Sequence, residues 1–351
     1  MDDLYYSAVD LLKKLICVPS FSKEEHAVAD ILQEYINSYG LKVNRVKNNL
    51  WVKNTCFDNS KPTILLNSHI DTVKPVSGWT KDPFMPEVIS EQLFGLGSND
   101  AGASLVCLLH TFIALNERVL DYNLVFLASA EEEISGKDGM EFVLNEIPQP
   151  AFAIVGEPTN MNPAIAEKGL MVLDCVAHGK SGHAARYEGE NAIYNAMQDI
   201  EWFRTYKFPE ISGLLGEVKM TVTMINAGTQ HNVIPDRCEF VVDVRSNELY
   251  PNKQLFDIID KHTKSDIKAR SFRLNSSNIA VENPFIQRLI MMGKIPFGSP
   301  TLSDQALMGF PSVKIGPGDS SRSHTADEFI LLSEIREALE YYYKALDGLR
   351  I

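Results

Sequence analysis

Histidines and carboxylates cluster in this sequence directly after short apolar runs. They are His69 and Asp71 in ILLNSHID, Asp100 in GSND, Glu131, Glu132 and Glu133 in VFLASAEEE, and Glu157 in FAIVGEP; a late loop, GPGDSSRSHTADE, adds His324. Short apolar runs of this kind are typical of buried strands. In an open α/β sheet the ligand crevice lies beyond the carboxyl ends of the strands. Residues far apart in the sequence can therefore meet there.

Each motif has an ordinary explanation when it is taken singly. A triplet H-x-D arises by chance, EEE is usually a solvated helix face, and a lone histidine in a late loop is usually a surface residue. GEP is usually a turn, because proline cannot continue a strand ladder. Together, however, the motifs would crowd several acids, which is unfavourable unless a cation offsets their charge. The set of imidazole and carboxylate donors without cysteine therefore indicates a catalytic zinc site.

The numbers of histidine and carboxylate donors predict a pair of metal ions. Each metal would take one histidine and one terminal carboxylate, and a further carboxylate would bridge the pair. Three ligating carboxylates against two divalent ions leave one positive charge, which a bridging hydroxide would neutralise. Such a pair lowers the pKa of its water toward about 7. We therefore expect about two Zn²⁺ per chain, for which Co²⁺ could substitute.

The elements that must hold these residues alternate between helix and strand on both sides of a central segment. Helical spacing predicts helices at 3–16, 24–39, 101–116, 283–293, 303–309 and 330–348, and apolar runs predict strands at 63–66, 124–128, 152–155 and 311–315. This alternation favours a mainly parallel sheet that is covered on both faces.

The pattern changes near residue 168. The segment that follows predicts strands at 169–179, 217–228, 237–246 and 268–274, with helices at 189–205 and 252–264. The order β-α-β-β-α-β is that of a ferredoxin-like unit. We therefore predict an inserted α+β domain at 168–280 inside a discontinuous α/β domain at 1–167 and 281–351.

Composition excludes some classes of partner. The chain of 351 residues has a net charge of −13, which argues against nucleic acid as a partner. The N-terminus lacks the pattern of a signal peptide, and we expect no membrane span. The five cysteines are scattered and form no C-x-x-C pair. We expect reduced thiols and a cytoplasmic location.

At these motifs the sequence resembles the di-zinc exopeptidase and deacylase family. That family includes acetylornithine deacetylase, succinyl-diaminopimelate desuccinylase, carboxypeptidase G and peptidase T. The resemblance covers essentially the whole chain, and the five ligand motifs occur in family order. It implies a mixed α/β sheet between helices, and the insertion falls where the family has its lid and dimerisation domain.

The resemblance also implies roles for the clustered residues. The expected metal ligands are His69, Asp100 as the bridge, Glu133, Glu157 and His324. Where the family normally has Asp before its acid pair, this sequence has Glu131. Alignment on Asp138-Gly139 makes Glu132 the general base. Asp71 would accept the free ring N–H of His69 and fix its tautomer.

The turn after the bridging residue departs from the family pattern. The family usually has a lysine and a glycine shortly after the bridging Asp, whereas this sequence reads Asp100-Ala101-Gly102-Ala103. No ligand is lost by this change. The resemblance also implies a cis peptide bond between Asp100 and Ala101.

Two segments of the predicted insertion resemble substrate-contacting motifs of the family. SGHAARYEGENAI makes His183 the candidate that stabilises the oxyanion, and QHNVIPDRCEFVVDVR offers Asn232 and Arg245 for substrate binding. Arg245 can equally be a surface arginine at a strand end. Family members commonly pair their lids, so we expect a homodimer in which His183 serves its own site or the partner's.

These features predict a zinc-dependent hydrolase that removes an acyl group from an amino acid. The segment GPGDSSRSHTADEF is most similar to acetylornithine deacetylase, which implies N-acetyl-ornithine as the substrate in arginine biosynthesis. The alternatives are N-succinyl-ornithine or N-succinyl-diaminopimelate desuccinylation, acetyl-lysine deacetylation and dipeptide hydrolysis. A hypothesis from another class is an inactive metal-binding scaffold, which loss of Glu132 or of a ligand would have favoured.

Overall fold

The structure is a computed structural model that describes residues 2–351. It divides into two compact units. The first unit comprises the described residues up to Ile165 together with Asn278–Phe297 and Ser303–Ile351. The second unit comprises Ala166–Ser277 and Gly298–Leu302.

The helices and strands are numbered in chain order. The helices are α1 Asp2–Ile16, α2 His26–Ser38, α3 Ala103–Leu115, α4 Met140–Val143, α5 Ala192–Thr205, α6 Asn252–His262, α7 Pro284–Met291 and α8 Leu332–Leu346. The strands are β1 Asn44–Val46, β2 Asn49–Lys53, β3 Thr63–His69, β4 Glu87–Ile89, β5 Gln92–Phe94, β6 Asn123–Ser129, β7 Phe152–Val155, β8 Ala164–Glu167, β9 Met171–His178, β10 Gly182–His183, β11 Lys219–Ala227, β12 Val233–Ile234, β13 Arg237–Arg245, β14 Asp266–Ala269, β15 Ser277–Asn278, β16 Phe297–Ser299, β17 Ser312–Lys314 and β18 Phe329–Leu331.

The main sheet of the first unit is mixed, as the resemblance implied. Its order is β1-β2-β6-β3-β7-β17-β8. The four central strands β6, β3, β7 and β17 run parallel, whereas β2 and β8 join the two sides antiparallel. Every residue of β3, β6 and β7 is buried, because both faces of a parallel sheet are covered. The carboxyl ends of these strands consequently meet at one edge.

Helix α3 is apolar on all sides, which is typical of a helix buried in a core. It packs against α1, α8 and β3. Although Ser98–Leu115 is long and apolar enough to cross a membrane, 78% of this segment is buried inside the protein. The composition of α3 is thus explained by its place in the core, directly after the loop that carries Asp100.

The second unit contains the six main elements in the predicted order. Its antiparallel sheet has the order β11-β13-β9-β14, and α5 packs on it. Leu173, Phe240 and Val242 are among the residues of its separate apolar core. The last predicted strand, 268–274, is displaced, because the strand is Asp266–Ala269. The Phe272 ring packs edge-on against the Phe256 ring instead of extending the strand.

Two parts of the first unit differ from the sequence expectation. The helix predicted at 303–309 is only the short 3₁₀ turn Asp304–Leu307, which begins after the cap formed by the Ser303 side chain. A small sheet of β4, β5 and β18 was not predicted. Its strands have three residues each, which is too short for a clear alternation of apolar and polar positions.

Candidate metal centre

The candidate site lies at the carboxyl ends of three adjacent parallel strands. His69 is the last residue of β3, and Glu157 follows β7 by two residues. The acidic run begins two residues after β6 and continues into a short 3₁₀ turn, Glu132–Ile134. The structure thus brings together the clustered residues that the sequence placed after strands.

Asp100 lies between the two histidines. Its Oδ1 is 3.3 Å from Nε2 of His69, and its Oδ2 is 3.6 Å from Nε2 of His324. Each carboxylate oxygen therefore faces a different imidazole. This is the arrangement that a carboxylate needs to bridge two metal ions, each of which also binds one histidine.

A second carboxylate accompanies each histidine. Oε2 of Glu133 is 3.0 Å from Nε2 of His324, and Oε1 of Glu157 is 3.7 Å from Nε2 of His69. One possible ligand atom from each of His69, Asp100 and Glu133 lies within 4.8 Å of the others. The same holds for His69, Glu132 and Glu157. The donors form two histidine–carboxylate pairs on either side of Asp100.

The carboxylates of this cluster are crowded, and their pKa values are shifted as a result. Burial raises the pKa of Glu157 to about 8 against the opposing charge of His69. Loss of hydration also raises the pKa of Glu132 well above its usual range, and the charges of Glu157 and Glu133 add to this shift. The hydrogen bond to Glu133 raises the pKa of His324 to about 9. A divalent cation would relieve this repulsion, so the residues present fit a metal pair.

Asp71 contacts His69 differently from the sequence expectation. Nδ1 of His69 is 2.8 Å from the backbone carbonyl oxygen of Asp71 and 3.5 Å from its Oδ1. The carbonyl is thus the nearer acceptor for the ring N–H. The Asp71 carboxylate instead accepts the N–H groups of Glu132 and Glu133 at 3.0 and 3.1 Å, and the Ser22 hydroxyl at 2.7 Å. Asp71 therefore holds the acidic turn in place.

The peptide bond between Asp100 and Ala101 is cis, which confirms the expectation from the resemblance. It lies in the irregular turn Ser98–Gly102, where the dihedral angles of Asp100 and Ala101 are not helical. The Asp100 N–H donates to Oε1 of Glu328 at 2.9 Å. Sequence reasoning missed Glu328, although it lies four residues after His324 and directly before the apolar strand β18.

Asp304 is a second buried carboxylate that sequence reasoning missed. Its Oδ2 accepts the Ser129 hydroxyl at 2.6 Å, and the Ser129 oxygen in turn accepts the Asn67 side-chain N–H at 2.8 Å. Burial raises the pKa of Asp304 to about 6. This chain of hydrogen bonds links β3, β6 and the turn Asp304–Leu307. Its middle member, Ser129, lies two residues before the acidic run begins. The only sequence signal was an acid in an apolar segment with a Ser before it.

The second unit does not bring its three candidates together. His183 and Asn232 are exposed neighbours, since the Ala184 N–H donates to the Asn232 carbonyl oxygen and β10 pairs with β12. Arg245 is the last residue of β13, which begins at Arg237. Eight steps of about 3.3 Å put Arg245 about 26 Å from that first residue. Its guanidinium donates from Nε and Nη2 to the two carboxylate oxygens of Asp243.

The chain is similar to known proteins over most of its length. Residues 65–348 match the model described as Peptidase family M20/M25/M40. Succinyl-diaminopimelate desuccinylase of Corynebacterium glutamicum is 26% identical, with 95% of each chain covered. Acetylornithine deacetylase of Proteus mirabilis is 27% identical and covers 95% of this chain and 94% of its own.

Solved structures share the fold. The aminopeptidase PepT of Bacillus cereus has a TM-score of 0.78 at 18% identity, with 98% of each chain covered. A dinuclear metal-binding peptidase of the M20 family from Bacillus subtilis has a TM-score of 0.72 at 18% identity, covering 99% of this chain and all of its own. These similarities extend over nearly the whole length of the protein.

Proposed function

Because the chain belongs to peptidase family M20/M25/M40 and is a metal-dependent hydrolase of amide bonds, we propose that it removes the acyl group of N-acetyl-ornithine with a pair of zinc ions. The observation that carries this proposal is the Asp100 carboxylate, whose two oxygens face His69 and His324 separately. Glu157 and Glu133 would complete the two sets of ligands. Zinc would supply Lewis acidity at the amide carbonyl and a more acidic water.

Glu132 is the proposed general base. Its carboxyl is buried among other negative charges, and the raised pKa that results makes it a stronger base than an exposed glutamate. It would accept the proton of the attacking water and deliver it to the leaving amine nitrogen. The Asp71 carboxylate holds the Glu132 backbone N–H at 3.0 Å and thereby fixes the turn from which the base projects.

The choice of substrate rests on the relatives. Acetylornithine deacetylases of Proteus mirabilis and two Buchnera aphidicola strains match at 24–27% identity. The runner-up is desuccinylation of N-succinyl-diaminopimelate, since the Corynebacterium glutamicum enzyme of that name is similar to the same degree. Ornithine carries a side-chain cation that suits a protein with a net charge of −13.

The same proposal includes assembly and location. Strand β11 lies at the edge of its sheet and exposes Met224 and Ile225, which supports pairing of two copies through the second unit. In such a homodimer His183 would serve its own site or the partner's, and Asn232 and Arg245 would bind substrate. The five cysteines are all free thiols, which supports a reducing cytoplasm. The place in arginine biosynthesis follows only from the proposed substrate.

A panel of substrates tests the proposal. The purified protein with added zinc would be assayed with N-acetyl-ornithine, N-succinyl-ornithine, N-succinyl-diaminopimelate, N-acetyl-lysine and a dipeptide, with Glu132→Gln as the control for contaminating activity. We expect the highest kcat/KM for N-acetyl-ornithine. A higher value for any other member would replace that assignment, and no hydrolysis of any member would contradict the proposed reaction.

A further inference from the structure

The Glu328 carboxylate is enclosed by backbone N–H groups of a distant loop. Glu328 is 2% exposed. Its Oε1 accepts the N–H groups of Asn99 and Asp100 at 2.8 and 2.9 Å, and its Oε2 accepts the N–H of Gly97 at 3.0 Å. The loop lies 228 residues earlier in the chain than this carboxylate. One side chain therefore satisfies three backbone donors around the proposed bridging ligand.

The loop requires such an acceptor. Gly97 has φ +75°, and Asp100 has φ −117° and ψ 97°, so these residues do not follow helical geometry. Their N–H groups lie before α3 and have no preceding helical turn to accept them. A buried backbone donor without a partner is costly, and a carboxylate offers enough lone pairs to accept all three N–H groups.

The other side of the loop is held by the segment that carries His324. The Asn99 side chain donates to the Asp319 carbonyl oxygen at 3.1 Å and to the Ser323 hydroxyl at 3.3 Å, and accepts the Asp319 N–H at 3.1 Å. Glu328 and His324 lie in the same segment, 319–328. The contacts on both sides thus couple the backbone position of Asp100 to that of His324.

We infer that Glu328 is a positioning residue that fixes the Asp100 backbone so that the two Asp100 oxygens face the two proposed metal ions. This inference rests on the proposed function, because it assumes that Asp100 binds metal. Glu328 itself does not touch the reacting atoms. It acts by holding three N–H groups, and it therefore sets the metal affinity of the site through Asp100.

The variant Glu328→Gln isolates this role. Glutamine has nearly the same size, but it offers one acceptor oxygen and turns an NH₂ group toward a backbone N–H. We expect the dissociation constant for Zn²⁺, measured by competition with a chromophoric chelator, to rise about 10- to 100-fold. Glu328→Asp keeps the charge but withdraws the carboxylate by about 1.5 Å, and it should weaken Zn²⁺ binding as well.

Asp199→Asn in the second unit is the matched control. The Asp199 carboxylate is also buried, and it accepts the N–H groups of Lys264 and Ser265. We expect this variant to lose thermal stability without a change in Zn²⁺ affinity. If Glu328→Gln likewise changed only stability, the positioning role would be wrong. Failure of the wild-type protein to bind Zn²⁺ would instead contradict the proposed function.

Hydrogen exchange of the wild-type protein provides a test that does not depend on the folding of a variant. If Glu328 holds the loop, the amides of Gly97, Asn99 and Asp100 should exchange slowly in the metal-free protein. Addition of Zn²⁺ should change their exchange little. Rapid exchange that becomes slow only with Zn²⁺ would overturn the inference, because the metal would then order the loop.

Discussion

The candidate residues of the first unit form one cluster, whereas those of the second unit do not. In the first unit Asp100 lies within 3.6 Å of both histidines, and its backbone is held by Glu328. In the second unit His183 is exposed and its Nδ1 accepts only the nearby Ala185 N–H among the described contacts. Arg245 is the last residue of β13, about 26 Å from the first residue of that strand.

This difference separates two physical requirements. Metal binding needs several charged groups held within a few tenths of an ångström of their productive positions. Crowding these groups costs free energy, and buried hydrogen bonds to Asp71 and Glu328 offset part of it. Residues that contact substrate only during turnover need no such preorganisation in the free chain. The comparison predicts that changes in the first unit affect metal or chemistry, and that changes in the second affect turnover or substrate binding without affecting metal.

Removal of metal should have the largest effect. Exhaustive dialysis against a chelator should abolish hydrolysis, because the proposed chemistry depends on the ions. Far-ultraviolet circular dichroism should change little, since apolar residues of the three strands, such as Leu65, Phe126 and Ile154, pack in hydrophobic cores whose burial does not depend on the ions. Activity that survives verified metal removal would show that the cluster in the first unit does not perform the reaction.

Glu132→Gln should lower kcat by about 10²- to 10⁴-fold, because glutamine cannot accept the proton. The metal content, measured by mass spectrometry, should stay near that of the wild type. Glu133→Gln is the matched change at the neighbouring residue. It should lose metal, because Oε2 of Glu133, 3.0 Å from Nε2 of His324, is a proposed ligand atom. If the two variants exchanged these behaviours, the assignment within the acidic run would be displaced by one residue.

His183→Ala should lower kcat by about 10²- to 10³-fold with unchanged metal content, the range for loss of one oxyanion donor. The residue is exposed in a single chain, so a dimer in which it serves the partner makes a specific prediction. Mixing His183→Ala with Glu132→Gln and allowing subunits to exchange should restore activity. No recovery despite demonstrated exchange would mean that each chain supplies its own His183.

Metal affinity should rise with pH up to about 9, the higher of the pKa values of two proposed ligands. The hydrogen bond to Glu133 raises the pKa of His324 to about 9, and burial raises that of Glu157 to about 8. Below these values protons occupy the donor atoms and compete with Zn²⁺, and above them the competition ends. Calorimetry in two buffers of different ionisation enthalpy should show proton release at pH 7. Absence of release would argue against these two ligands.

Sequence patterns predicted those parts of the molecule in which each residue carries its own signal. The strands β3, β6 and β7 contain the apolar runs 64–66, 124–128 and 152–155, and His69 and Glu157 lie within three residues of the ends of two of these runs. The role of Glu328 has no such signal, because it depends on three backbone N–H groups of a loop 228 residues away. The role of Asp71 likewise has no signal in the sequence. Its carboxylate accepts the Ser22 hydroxyl and two backbone N–H groups, which leaves its carbonyl oxygen as the acceptor for His69.

Arg245 should give the smallest effect, and its partner makes the result informative. Asp243 accepts hydrogen bonds from Nε and Nη2 of Arg245, so part of the guanidinium is already engaged within β13. If the remaining N–H groups bind the substrate carboxylate, Arg245→Ala should raise KM about 10-fold while kcat changes less than about 3-fold, which is loss of uniform binding. Asp243→Asn should raise KM by less, because the charge of Arg245 remains and only its orientation is loosened. Metal content should be unchanged in both variants, which distinguishes them from Glu133→Gln and from the Glu328 variants. If both variants kept the wild-type KM, the pair would be an ion pair of the sheet surface, and the substrate-binding role proposed for Arg245 would be wrong.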